Sequence, residues 1–303
     1  MKTEYEKCGL CFRGCLVDRS KKIGFCGFED KAYISYYSLH KWEEPPISGE
    51  RGSGTIFFDG CSLGCTFCQN IKISRGRNGK VISPDELSDV MLKLQLAGAH
   101  NINFVTPTHF LPTVREAIIL AKQKGLSLPI VYNTGSYDNP EALKTLSGLV
   151  DVYLPDFKFY TEKTAEKYAK APDYPKAARL AIAEMVKQAP TPVFDAQGMM
   201  KSGVIVRILL LPGHVAEAKL ILKYLYSTYG DNIYISLMSQ YTPMENMKPP
   251  LNRKVTAEEY SQLVDYAERL GVTCAFIQEG EAASESFIPP FVSGEEVDKI
   301  ILK

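Results

Sequence analysis

The sequence predicts an α/β protein, a partial (β/α)6-type, TIM-like barrel of parallel strands behind a cysteine-rich N-terminal extension. Three observations point there. Short continuous apolar runs alternate with amphipathic segments, the pattern of a parallel sheet covered on both faces. Six or seven such units suit a complete or partial barrel better than a small doubly wound sheet. The first ~50 residues are instead rich in cysteine, glycine and tyrosine and close in the turn-rich EEPPISGERGSG. Residues 1–50 therefore read as the extension, and 51–303 as the barrel domain with C-terminal βα additions.

In order, the strand candidates are TIFFDG (55–60), INFVT (102–106), PIVYNT (129–134), VDVYLPDF (150–157), VIVRILLL (204–211), IYISLMS (233–239) and TCAFIQ (273–278). Helix candidates fall between them at 84–97, 112–124, 140–147, 161–188, 214–229 and 256–270. Ser83-Pro84 before Asp85 and Glu86, and Thr256 before Glu258 and Glu259, are helix start signals. In a barrel of this kind, chemistry belongs at the carboxyl ends of the strands, where the most unusual residues of this chain fall.

The 303 residues, 45% apolar and 23% charged, suffice for a large buried core. Thirty-five basic and 35 acidic residues cancel, so no global field recruits nucleic acid or an anionic membrane. The N-terminus is polar, and no segment supplies the roughly 20 apolar residues of a membrane span. The expectation is a cytoplasmic protein with neither a nucleic-acid nor a membrane partner. Seven of the eight cysteines lie in the first 68 residues. Such clustering without an export signal favours metal binding or redox chemistry over disulfides. Cys274, inside the apolar TCAFI, reads as a small core hydrophobe.

Cys61, Cys65 and Cys68 form C-x3-C-x2-C just after the first barrel strand. Thiolates are soft ligands suited to iron–sulfur clusters, and three can wrap one cubane while Gly60 and Gly64 relax the backbone. Three ligands on four irons leave one iron open, which separates a catalytic metal site from a closed structural one. A zinc site would want a histidine at finger spacing, and none follows.

The spacing, with Phe67 before the last cysteine, resembles the radical SAM signature. That resemblance implies a 4Fe-4S cluster whose open iron chelates S-adenosylmethionine, and reductive cleavage to methionine and a 5′-deoxyadenosyl radical. Other segments resemble the glycyl-radical-enzyme activases typified by the pyruvate formate-lyase activating enzyme. These are Asn70, completing C-x-N; Asp156 and Lys158 in YLPDFKFY, like the D-x-K motif; and Arg207 with Pro212-Gly213, like R-x-x-x-x-P-G. The N-terminal CGLCFRGCLVDRSKKIGFC and the strand ends VTPTHF, VYNTGSY and SLMSQYTP resemble one branch with an extra N-terminal cysteine cluster. One departure stands out. Where activases carry G-G-E, this chain has Thr106, Thr108 and His109, whose hydroxyls, ring or carbonyls would take over its hydrogen bonding.

The resemblance implies catalytic roles for Asp156, Lys158 and Arg207, and cofactor contacts from Phe67, Asn70, Thr106, Thr108, His109 and Asn133. Several also have a plain alternative. Asp156–Lys158 would serve as a strand-end ion pair. Arg207, costly unpaired in an apolar strand, would meet either a structural carboxylate or a ligand. His109 would pack or cap, Asn133 would start a turn, and Phe67 would be core. Cys8, Cys11, Cys15 and Cys26, in C-x2-C-x3-C-x10-C, would hold zinc or an auxiliary iron–sulfur cluster, or remain free.

Three functions follow. One is hydrogen abstraction from a backbone glycine of a glycyl radical enzyme or other protein substrate. The second is radical SAM chemistry on an unrelated small molecule or macromolecule. The third, from another class, is a non-catalytic metal-binding module. The family resemblance implies a flavodoxin- or ferredoxin-type electron donor for the first two.

Overall fold

The computed structural model describes residues 2–278. The first half runs α1 (Lys2–Glu6), β1 (Ala32–His40), α2 (Pro45–Ser48), β2 (Ser53–Phe58), α3 (Ile71–Ser74), β3 (Lys80–Ile82), α4 (Pro84–Leu96), β4 (Ile102–Val105), α5 (Leu111–Gln123) and β5 (Ile130–Thr134). The second half runs α6 (Pro140–Lys144), β6 (Val152–Pro155), α7 (Glu162–Ala169), α8 (Tyr174–Gln188), β7 (Val193–Phe194), β8 (Met200–Leu209), α9 (Val215–Tyr229), β9 (Tyr234–Met238), α10 (Ala257–Leu270) and β10 (Ala275–Ile277).

Strand order is β10-β9-β8-β6-β5-β4-β2-β1-β3. From β2 to β10 every neighbour on this path is parallel, the open parallel sheet of a partial (β/α) barrel. All seven strand candidates appear in it. The strands β2, β4, β5 and β6 are buried at every residue, because helices cover one face and the barrel interior the other. Outside the sheet, Leu111, Val114 and Ile118 of α5 are fully buried. Each such side chain contributes about 1.5–3 kcal/mol against exposure. The start signals of α4 and α10 become capping boxes, Ser83 with Glu86 and Thr256 with Glu259.

Two readings are corrected. The helix expected over 161–188 is two helices. α7 ends in left-handed Lys170 (φ 49°), and Pro172 keeps Ala171 out of helical geometry. The second concerns β1, which the sequence reading left inside the extension. It pairs antiparallel with β2 through Tyr37↔Ile56 and Leu39↔Gly54, and with β3 through Ala32↔Ile82. EEPPISGERGSG thus carries α2 and leads from β1 into the first residues of β2. The expected C-terminal βα additions are seen as far as β10; residues beyond 278 lie outside the described residues.

Candidate active site

The carboxyl ends of β2, β4, β5, β6, β8 and β9 surround a cavity of about 240 Å³. Cys61, Cys65 and Cys68 line one side of it. Their loop is shaped by two glycines in left-handed geometry. Gly60 (φ 86°) leaves space that a Cβ would fill only 2.8 Å from the Cys26 carbonyl and 2.6 Å from the Phe28 ring. At Gly64 (φ 75°) a Cβ would collide with the Arg75 guanidinium. No larger residue fits either place. The three sulfurs act electrostatically on one another; burial pushes the free Cys65 thiol up to about 12, opposed by Lys158.

Opposite the cysteines lies a buried charge network. Asp156 and Arg207 are bridge partners on adjacent strand ends. Arg207 donates from Nε to Asp156 Oδ1 (2.6 Å), from Nη1 to Glu43 Oε2 (3.0 Å) and from Nη2 to Asn133 Oδ1 (2.6 Å). Lys158 Nζ donates to Asp156 Oδ2 at 2.6 Å. Glu43 Oε1 accepts from Asn103 (3.0 Å) and Asn133 (3.2 Å). Burial alone would raise the Asp156 pKa, but Arg207 and Lys158 outweigh it and hold the carboxyl below its usual range. Burial likewise works against the Lys158 ammonium, and Asp156 outweighs it, so Lys158 stays a cation. Burial raises Glu43, with Arg207 opposing. The guanidinium fork is spent on protein groups. Lys158 has one such bond and is the cation better placed to meet an anionic ligand.

Of the residues picked from the sequence, Cys61, Cys65, Cys68, Phe67, Asn70, Thr106, Thr108, Asn133, Asp156, Lys158 and Arg207 all line this cavity. Phe67 also packs edge-on against Phe159, Tyr168 and Tyr241. Thr106 adopts φ 58°, a glycine-like angle rare for a β-branched residue, and its N–H donates to Asn133 O at 2.8 Å. Thr108 donates to the buried Asp138 carboxylate, 2.7 Å away.

His109 is a correction. The 3-10 turn Thr108–Phe110 sends its ring into the core beside Phe28 and Phe110, away from the cavity lining. Its Nε2 donates to Asp59 O (2.6 Å), and burial lowers its pKa to about 3, so it is neutral packing. Cys8, Cys11, Cys15 and Cys26 also stand apart from the cavity.

Sequence reasoning missed Glu43, with His40 and Trp42 beside it on the cavity wall. The available signal was the strand-like AYISYYSLH, which ends in His40 and places Glu43 three residues beyond the strand.

Three thiols on one side of a cavity, with charged groups facing them, is a donor set for a metal cluster with room for a ligand. Residues 55–225 match the family model described as the radical SAM superfamily. The chain belongs to the radical SAM superfamily. A protein of Methanocaldococcus jannaschii described only as uncharacterized is 31% identical over 88% of this chain and 76% of its own length. Methylornithine synthase is similar in fold, with TM-score 0.50, 17% identity, and coverage of 74% of this chain and 63% of that one. Streptococcus suis SuiB bound to its precursor peptide SuiA gives 0.49 and 12%, over 73% and 46%. The chain thus spans less than two thirds of either solved protein.

Membership of the radical SAM superfamily implies a 4Fe-4S cluster and S-adenosylmethionine. The residues present fit them. Cys61, Cys65 and Cys68 would hold the cluster, and the cavity beside them offers aromatic, amide and charged groups to a ligand. Among the described residues, no three His, Cys, Asp or Glu side chains sit at the spacing that holds a single ion. Among them too, no helix is long and apolar enough to cross a membrane.

Proposed function

We propose that this radical SAM enzyme abstracts hydrogen from a backbone glycine of a protein partner, in the manner of a glycyl-radical-enzyme activase. The observation that carries the reading is the convergence of Asp156, Lys158 and Arg207 on one cavity with the cysteine triad. These are the residues through which the chain resembles that group. When bound, the cluster and S-adenosylmethionine would supply the electron and the 5′-deoxyadenosyl radical. The chain's own residues bind and orient. Lys158 offers spare N–H donors to a carboxylate or a peptide carbonyl, while Asp156, itself fixed by Arg207, holds it in place. Phe67, Phe57 and Leu209 give the cavity apolar walls that limit water around the reacting groups. Trp42, 55% exposed on the cavity's wall, offers a flat contact to an incoming loop. A flavodoxin- or ferredoxin-type donor would reduce the cluster beforehand.

Thr106 supports a second reading. Because a threonine stands where the activases carry G-G-E, radical SAM chemistry on a different substrate is the alternative. Anaerobic protein reconstituted with iron and sulfide should form 5′-deoxyadenosine with dithionite, and Cys65→Ala should abolish it. Activity surviving in Cys65→Ala would refute the cluster assignment. A glycyl radical signal on a candidate partner supports the first reading. Deuterium transfer into deoxyadenosine from a labelled substrate of another class supports the second.

A further inference from the structure

Away from the cavity, a second guanidinium is buried beside two of the N-terminal cysteines, Cys8 and Cys26. Arg19 is 0% exposed. Its Nε donates to Phe28 O at 3.1 Å, and its two Nη atoms donate to the carbonyls of His109 and Glu29. The rings of Tyr5 and Phe110 flank it. Among the described residues no carboxylate bonds it; its one side-chain hydrogen-bond partner is Cys8 Sγ, 3.8 Å from Nη1. A guanidinium stays protonated in a protein, and a buried charge without a counter-charge is strongly unfavourable. The groups that can supply the counter-charge are sulfurs. Cys8 and Cys26 are both buried. A Cβ placed on Gly24 would lie 3.3 Å from Cys26 Sγ and 3.7 Å from Cys15 Sγ, so those two sulfurs flank one backbone position. Cys8 N–H donates to Val17 O, and Leu16 N–H to Cys8 O, folding the Cys15 segment back on Cys8.

We propose that Cys8, Cys11, Cys15 and Cys26 form a closed metal–thiolate centre whose negative charge is balanced by Arg19 and which clasps the catalytic cysteine loop. Soft thiolates suit zinc or a second iron–sulfur cluster, and four of them fill either. Cys11 feels the charges of Cys8, Cys15 and Cys26; each thiol would release its proton to solvent on ligation, with side-chain rotation bringing the four sulfurs to one centre. The clasp runs through Arg13, between Cys11 and Cys15. Its Nε donates to Ser62 O and its Nη2 to Leu63 O, both at 3.0 Å, inside the catalytic loop. The same side chain reaches Ala169 O and Lys170 O at the end of α7. Cys26 O abuts Gly60, next to Cys61. The centre is independent of which substrate the cavity takes.

The test is metal and acid-labile sulfide per full-length chain, after anaerobic reconstitution with iron and sulfide and, separately, with zinc. The wild-type chain should hold a surplus over one four-iron cluster, either about four further iron or about one zinc. That surplus should persist when Cys61, Cys65 and Cys68 are all alanine, and vanish when the four N-terminal cysteines are serine. Arg19→Met should lose it, and Arg19→Lys, which keeps the charge but not the fork, should retain most of it. A wild-type chain with a single cluster's iron and no zinc would overturn the proposal. So would a surplus that survives replacement of all four cysteines.

Discussion

Arg207 and Arg19 are both guanidinium groups taken out of water, and they are satisfied in opposite ways. Arg207 meets two carboxylates, Asp156 and Glu43, and an amide. Arg19 meets three carbonyls and a thiol. The first has its counter-charge within the polypeptide, so its network is complete before any ligand arrives. Of the second's partners only the thiol can become anionic, on ligating a metal. The cavity is therefore preorganised by the chain alone, whereas the cysteine clasp awaits its charge partner.

The largest effect should come from breaking the complete network. Arg207→Met strands Asp156 and Glu43 in a buried place, at a cost of about 3–5 kcal/mol. Denaturant unfolding should show this loss in metal-free and metal-loaded protein alike. Arg19→Met should behave differently, its penalty growing once the N-terminal centre is loaded. Equal penalties for Arg19→Met in both forms would erase the distinction between the two arginines.

Smaller effects should come from the acids. Glu43→Gln keeps the shape but puts an amide where Arg207 and two asparagines expect a carboxylate, costing about 1–3 kcal/mol. Asp156→Asn loosens Lys158 and Arg207 together. Deoxyadenosine formation should fall by about tenfold or more, equivalent to about 1.4 kcal/mol, with bound iron unchanged, since Asp156 is not a cluster ligand. Iron lost in step with activity would show that the network supports the cluster loop instead of a ligand.

The parallel strands were legible because each is a continuous apolar run, and the cysteine triad because its spacing is local. The cavity-lining positions of Asp156 and Lys158 were legible for a related reason: each sits just beyond a strand's carboxyl end, whose position follows from the run, whereas Arg207, inside β8, stood out as a charge within an apolar run. Glu43 was not legible. It belongs to a segment whose place is set by antiparallel pairing of β1 with β2, a long-range event that a turn-rich sequence conceals. His109 misled for the opposite reason. Strand-end position suggested the cavity, but a single 3-10 turn rotated the ring inward, and one turn's handedness lies below what residue patterning conveys.

His109 joins the two regions, and it carries the smallest predicted effect. Its carbonyl accepts from Arg19, and its Nε2 donates to the carbonyl of Asp59, just before the catalytic loop. Burial, reinforced by the Arg19 charge, lowers its pKa to about 3, against ~6.5 in an unfolded chain. Between those values the unfolded state binds the proton and the folded state does not. Stability therefore falls as pH drops from about 6.5 towards 3, by at most about 1.4 kcal/mol per pH unit from this group. His40, lowered to about 4 by burial, adds a parallel term down to its own pKa. His109→Gln should be less stable at neutral pH, because the amide refills the site imperfectly, yet lose stability less steeply on acidification. Urea midpoints from pH 7 to 4.5 measure this. Parallel curves for the two proteins would mean that acid reaches the fold elsewhere, through the carboxylates around Arg207 and not through the ring beside Arg19.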